Sequence, residues 1–406
     1  MPHKHAVILL IFIALGVFVG AFCGWYLGES MLQIEWLGKL FLNALKMMII
    51  PLIVAAVISG VASMGDIRKL ERLGGITVLY YISTTAIAVF IGLIMVNIIQ
   101  PGAELNISGG VIPDKVLGKE ETGISDILLS MVSPNLVKSA SETKLLPLIL
   151  FSILFSAALT TLGEKGKPVL AFFDGLNEAM MKLVTWLMYL APLGIFALVA
   201  ARLGMAGGGE AFLNEIKAVG LHVITVLSGL AIHFIVLYLV LFFIAKRGFS
   251  YLTTMLRALL TAFGTASSSA TLPLTMECAK ENKVDERALR FTIPIGSTIN
   301  MDGTALYEAA AVMFIAQAYG MDMSLGQQAI IFITATLAAI GAAGIPEAGL
   351  VTMVIVLQAV GLPLEGIGLL LAVDWFLDRF RTTVNVWGDA VGAAVVHRFL
   401  PEARNP

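Results

Sequence analysis

Apolar positions run in long blocks over residues 6–28, 35–63, 77–100, 126–162, 170–203 and 218–246. Each block is long enough to cross a bilayer as a helix, which takes about 20 residues. The first, AVILLIFIALGVFVGAFCGWYLG, is too long for a signal-peptide core and lacks a clear cleavage site, so it is read as a first membrane helix. Beyond residue 246 the pattern changes. Small and polar clusters break the apolar stretches: GTASSSATLP, INMDGT, GAAGIPEAG and RTTVNVWGD. The first half reads as lipid-facing helices, and the second as a polar path through a membrane.

Two stretches do not read as simple spans. Residues 250–283 hold an apolar arm, the cluster GTASSSATLP, and a second arm ending in ECAKENK. Residues 325–362 repeat the design around GAAGIPEAG. Each arm is shorter than the ~20 residues a span needs, so re-entrant helical hairpins are predicted, with a pair of kinked spans as the alternative. Non-helical backbone at membrane depth survives only when buried in protein or lining a cavity. Two such interruptions in one half point to a transporter's substrate site.

Composition sharpens this picture. Hydrophobic residues make up 58% of the 406 and charged residues only 13%, where a soluble protein has about 25% charged. That leaves too little charge to coat a water-facing surface, and the lipid bilayer becomes the predicted environment. A net charge of −2 argues against a nucleic-acid partner. Cys23 and Cys278 are far apart in apolar surroundings, which suggests neither a disulfide framework nor a metal cluster. Basic residues mark alternate ends of the blocks: Lys4, then Arg68, Lys69 and Arg72, then Lys165 and Lys167, then Lys246 and Arg247, and the tail from His397 to Arg404. The loop after the third block is acidic instead, with Glu104, Asp114, Glu120 and Glu121 against Lys115 and Lys119. The positive-inside rule therefore puts both termini in the cytoplasm. Asn106-Ile-Ser matches a glycosylation acceptor pattern, as a chance match would.

Candidate chemistry sits on DWFLDRFRTTVNVWGD, residues 374–389. At about 100° per residue, Asp374, Asp378, Arg381, Thr382, Asn385 and Asp389 share roughly a quarter of the helix circumference. Arg379 falls on another face. A charge in the membrane costs several kcal/mol unless paired, and marks a functional path by default. Arg381 offers a planar fork that grips a carboxylate in two places. Asp378 suits an ammonium, Asn385 and Thr382 can fix orientation, and Asp389 is a hard oxygen ligand for a small cation. Together they suit an amino acid whose side chain is itself acidic. In TINMDGTALYEAA, residues 298–310, the group Asn300, Asp302, Gly303 and Thr304 interrupts a helix. The unwound turn frees carbonyls that can join the Asn and Asp oxygens in a Na+ site. Glu308, one turn past Thr304, is a candidate proton carrier. An intramembrane protease, with Ser268 as nucleophile or Asp302 as part of a pair, is the enzyme alternative, but Ser267, Ser268 and Ser269 have no nearby His or Lys base in sequence, so no enzyme is predicted.

SSSATLP, NMDGTALYEAAAVMFIAQ, GAAGIPEAGLVTMVIVLQAVGLP and DWFLDRFRTTVNVWGD closely resemble the dicarboxylate/amino acid:cation symporter family, which includes glutamate/aspartate transporters. The resemblance covers essentially the whole chain, including YYISTTAIAVFIGLIMVNIIQPG. It implies an all-α polytopic membrane protein with eight transmembrane helices and two re-entrant hairpins, an elevator-type carrier assembled as a homotrimer. The implied division is a scaffold over 1–76 and 101–217, a transport domain over 77–100 and 218–400, and a tail over 401–406.

By the same resemblance, Arg381 looks like the residue that binds the substrate's side-chain carboxylate, and Asp378 like the partner of its amino group. Ser268, Thr304, Thr382, Asn385 and the backbone around Ile345 and Gly349 would complete the substrate site. One Na+ site maps onto Gly296, Asn300, Asn385 and Asp389, and a second onto Tyr81, Thr84, Thr85, Asn300 and Asp302. A third uses carbonyls near Ala339, Ile340 and Ala342 together with Thr298. Archaeal members carry an arginine before the hairpin serines and a glutamine after the tyrosine. Here Ala266 and Glu308 stand in those places and Arg379 appears in the last helix, as in the animal transporters. That combination implies proton coupling through Glu308 and Arg379, and leaves K+ counter-transport open. The lack of the long insertion typical of the animal proteins implies a bacterial inner-membrane protein. A C4-dicarboxylate or neutral amino acid substrate on the same fold is the alternative. Arg381 argues against a neutral substrate, and Asp378 would be idle with a dicarboxylate.

Overall fold

The structure is a computed structural model that describes residues 3–63, 72–105, 129, 132–142, 145–205, 209–341 and 348–400. Among these residues the regular elements are all helical. In chain order they are α1 (His3–Leu27), α2 (Glu35–Ser63), α3 (Arg72–Ile99), α4 (Leu136–Ser141), α5 (Leu145–Thr161), α6 (Lys167–Met188), α7 (Ala191–Met205) and α8 (Gly209–Phe243). There follow α9 (Phe249–Thr265), α10 (Ser268–Glu281), α11 (Glu286–Ile299), α12 (Asp302–Ala318), α13 (Leu325–Ala338), α14 (Ala348–Val360) and α15 (Ile367–Phe399).

Two of the long apolar blocks are subdivided. The block over 126–162 contains α4 and α5. Asn135 opens α4 by accepting a hydrogen bond from Lys138 N at 2.9 Å, an N-cap that sets the helix start. The block over 170–203 divides between α6 and α7. Pro192 lies in the first turn of α7, where its missing N–H has no helical partner to lose. Among the described residues, Leu15–Phe41, Leu73–Ile99 and Ile216–Phe243 are long and apolar enough to cross a membrane.

The two interrupted stretches are helix–turn–helix units. α9 ends at Ala266, whose backbone is left-handed at φ 49°. Ser267 then caps α10 by accepting from Ala270 N at 3.2 Å. α13 begins with a capping box, in which Ser324 and Gln327 satisfy each other's backbone N–H groups. It ends in a 3-10 turn at Ala339–Gly341. The arms of each unit pack on one another.

Packing falls into two groups. α1 lies on α7, and α2 contacts α5, α6 and α7. The remaining helices gather around α12 and α15: α3 packs on α12 and α8, α8 and α11 on α15, α9 and α10 on α15, and α14 on α12. Every described residue of α12 but Gln317 is buried. It is the most enclosed helix of the second group, and it follows directly on the break at Asn300 and Met301.

Candidate functional site

The polar stripe of α15 turns inward. Asp374, Asp378, Arg381, Thr382, Asn385 and Asp389 are all buried. Arg381 is fully enclosed. Its Nη1 donates to Asp374 Oδ1 and its Nη2 to Asp378 Oδ1, both at 2.8 Å. The guanidinium lies 4.0 Å from the centre of the Tyr307 ring, a cation–π contact. Gly349 completes the enclosure: a Cβ there would sit 2.9 Å from Arg381 Nη1. Sequence reasoning placed Asp374 on this stripe without giving it a role. Its position seven residues before Arg381, two helical turns away, was the available signal.

The break before α12 points at the same helix. Asn385 Oδ1 accepts from Gly303 N at 2.7 Å, and Asn385 Nδ2 reaches Thr304 Oγ1 at 3.3 Å. A Cβ on Gly303 would lie 2.5 Å from the Arg381 carbonyl oxygen, so only glycine allows this close approach of α12 to α15. Ser268 is buried at the start of α10 and Thr382 is buried on α15. Glu308 is fully buried, with the Thr352 hydroxyl of α14 as its neighbour.

Two clusters of cation-type oxygens gather around Asp389 and Asp302. In the first, Asn300 Nδ2 donates to Asp389 Oδ1 at 3.2 Å. Asp389 Oδ1 abuts Gly296 so closely that a Cβ there would be 2.2 Å away. Asn385 points instead at Gly303 and Thr304. In the second, Asp302 Oδ1 accepts from Thr85 Oγ1 at 2.7 Å and from Thr84 Oγ1 at 3.4 Å. Thr84 also reaches Asn300 Oδ1 at 3.4 Å and the Tyr81 carbonyl at 3.3 Å. Tyr81 thus enters through its carbonyl, while its hydroxyl donates to Thr292 O at 2.6 Å. Among the described residues no group of three His, Cys, Asp or Glu could hold a metal. Hydroxyl, amide, carbonyl and carboxylate oxygens are hard ligands, suited to a hard cation rather than to a soft transition metal.

The third expected ion set is only partly in view. Ala339 and Ile340 lie in the 3-10 turn that packs on α11. Thr298 is exposed and donates to Ile295 O at 2.9 Å. Ala342 and Ile345 lie outside the described residues. Arg379 occupies the other face of α15, where its Nη1 donates to Phe263 O at 2.9 Å and Gly264 O at 3.0 Å, the closing carbonyls of α9. Sequence reasoning missed His233 of α8, which sits 3.0 Å from Asp302 Oδ2. The available signal was the ionisable side chain itself, set in the apolar block 218–246.

Comparison with known proteins places the sequence as a whole. Over residues 9–399 the chain matches the model of the sodium:dicarboxylate symporter family. It is 40% identical over 442 residues to excitatory amino acid transporter 3 of Oryctolagus cuniculus, covering 95% of this chain and 83% of the relative. With excitatory amino acid transporter 3 of Mus musculus it shares 42% over 413 residues, 89% of this chain and 78% of the relative. An excitatory amino acid transporter of Caenorhabditis elegans is 37% identical over 446 residues, 97% of this chain and 88% of the relative. A match that runs over nearly the full length shows that the chain belongs to the sodium:dicarboxylate symporter family.

Proposed function

We propose that the chain is a secondary active symporter that carries L-glutamate and L-aspartate across a membrane, driven by Na+ and H+. The observation that carries this reading is Arg381, fully buried between Asp374 and Asp378. A guanidinium already paired in this way can exchange partners. An acidic amino acid would offer its side-chain carboxylate to Arg381 and its ammonium to Asp378. Thr304, Thr382, Asn385, Ser268 and the backbone near Ile345 and Gly349 would orient it.

Charge explains the need for cations. With Asp302, Asp374, Asp378 and Asp389 ionised, four negative charges face the one positive charge of Arg381, a net −3 among these buried groups. An acidic amino acid adds another −1. Burying that excess is prohibitive without counter-ions. Na+ on the Asp389–Asn300–Gly296 cluster and on the Asp302–Thr84–Thr85–Tyr81 cluster would supply them, with a third ion near Ala339, Ile340, Ala342 and Thr298. A proton on Glu308 lowers the cost further. Arg379 anchors the end of α9 near the site. K+ on the emptied carrier would serve the return step.

The two packing groups support a scaffold of α1, α2 and α5–α7 holding a mobile unit of α3 and α8–α15. In the bilayer the α9–α10 and α13–α14 units would be the two re-entrant hairpins among eight spans. Homotrimeric assembly, elevator movement, a bacterial inner membrane and cytoplasmic termini belong to the same reading. A C4-dicarboxylate substrate is the second reading, favoured by the family's own description. It leaves Asp378 without an ammonium partner.

Uptake of labelled L-glutamate into proteoliposomes, with Na+, proton and internal K+ gradients varied separately, tests both. Uptake that requires Na+ and rises with external acidity is the expected result. Transport of succinate but neither acidic amino acid would put the dicarboxylate reading first. Proton-driven uptake without Na+ would refute the cation assignments.

A further inference from the structure

His233 belongs to α8, outside every substrate or ion contact described above, yet it is fully buried against one of them. Its Nε2 lies 3.0 Å from Asp302 Oδ2. Asp302 Oδ1, on the other side of the carboxylate, faces the hydroxyls of Thr85 at 2.7 Å and Thr84 at 3.4 Å. The Oδ2 side is closed by backbone: a Cβ on Gly388 would be 3.3 Å from Oδ2 and 2.9 Å from Asn300 Nδ2. Both oxygens therefore have distinct surroundings, one in the hydroxyl cluster and one under the imidazole.

We propose that His233 is a positioning residue for the Asp302 cation site: its Nε2–H holds Oδ2, so that Oδ1 alone is presented to a Na+ between α3 and α12. This rests on the reading of Asp302 as a Na+ ligand. The physical case is orientational. A carboxylate left to rotate about its Cβ–Cγ bond offers either oxygen at either angle, and an ion must then pay to fix it. A donor on one oxygen fixes it beforehand. Removing such outer partners typically costs 10–100-fold in metal affinity. The arrangement also ties α8 to the broken start of α12, since α8 packs on both α3 and α12. His233 Nδ1 has no hydrogen-bond partner among the described residues, so its hydrogen bonding is directed at Asp302 alone.

The test compares His233→Gln, whose amide nitrogen reaches about as far as Nε2, with His233→Asn, whose shorter side chain does not. The Na+ concentration for half-maximal glutamate uptake is measured in proteoliposomes. Na+-dependent thermal protection of the purified protein gives a readout independent of transport. His233→Asn is expected to raise the half-saturating Na+ concentration about 10-fold, with the maximal rate at saturating Na+ retained. His233→Gln is expected to stay near wild type. Equal shifts in both variants, or no shift in His233→Asn, overturn the proposal. Asp302→Ala separates the two readings. If it shifts the Na+ dependence while His233→Asn does not, the Na+ site stands and the positioning role falls. If neither variant shifts it, the assignment of Asp302 as a ligand fails, and the role of His233 with it.

Discussion

Arg381 shows how much one residue carries. Its guanidinium is fully buried, and Asp374 and Asp378 hold it. Arg381→Ala removes the buried cation that would pair with the substrate carboxylate, and truncating one partner of a buried charge pair costs about 2–5 kcal/mol of binding. The expected outcome is a loss of acidic amino acid binding of about 100-fold or more, since each 1.4 kcal/mol is tenfold. Competition of aspartate against labelled substrate measures it, and an unchanged aspartate affinity would refute the role. Glu308 is a different case, enclosed and facing Thr352. Glu308→Gln should flatten the pH dependence of net uptake while leaving exchange intact, and proton flux per substrate is the readout. Gly296 is the tightest glycine beside the carboxylates. Gly296→Ala would drive a methyl to 2.2 Å from Asp389 Oδ1 and 2.4 Å from the Tyr81 hydroxyl. Na+ and substrate binding should weaken together, as in Asp389→Ala, because each ion favours the state that binds substrate.

At the scale of elements, what matters is where helices stop. α11 stops at Ile299 and α12 starts at Asp302, and the residues between them carry the Asn300 amide into the oxygen clusters. α9 stops beneath Arg379, which accounts for two carbonyls that the helix itself leaves unbonded. α11 starts at a cap outside the membrane-spanning segments: Asp285 Oδ1 accepts from Arg287 N at 2.8 Å. The Arg287 guanidinium beside it holds the Asp285 carboxyl below the usual carboxylate range. The cap is therefore fully formed at neutral pH and is lost only as pH falls through that lowered value. Asp285→Ala should destabilise this end of α11 by about 1 kcal/mol. Amide exchange of the first turn of α11 in detergent would register the change, and wild-type protection in the variant would contradict it.

Across the whole molecule, α1, α2 and α5–α7 pack mainly on one another and the helices around α12 and α15 on one another, with α7 against α15 the largest contact between the two groups. If the second group moves as a body against the first, cysteine pairs placed across the boundary between α2 and α11 should trap uptake when cross-linked. Reduction should restore it. Cross-links inside the α12–α15 group should leave transport intact. Inhibition by both kinds of link alike would count against rigid-body movement.

Much of this was legible in the residues. The apolar blocks, the two interrupted stretches and the polar stripe of α15 follow from sequence because a helix repeats every 3.6 residues and lipid tolerates no unpaired backbone. Helical spacing alone places Asp374, Asp378 and Arg381 on one face and Arg379 on another. Residue types along the chain also named the chemistry: a fork for a carboxylate, hard oxygens for a small cation. Sequence alone determined which groups must leave water. Only the tertiary structure decided which of them meet. Asn385 turned to Gly303 and Thr304 rather than to Asp389, Thr298 stayed exposed, Arg379 found the end of α9, and His233 came from 69 residues away to hold Asp302. Such pairings depend on how distant helices pack and rotate against each other. No local period records that, because the contact energy belongs to two segments at once.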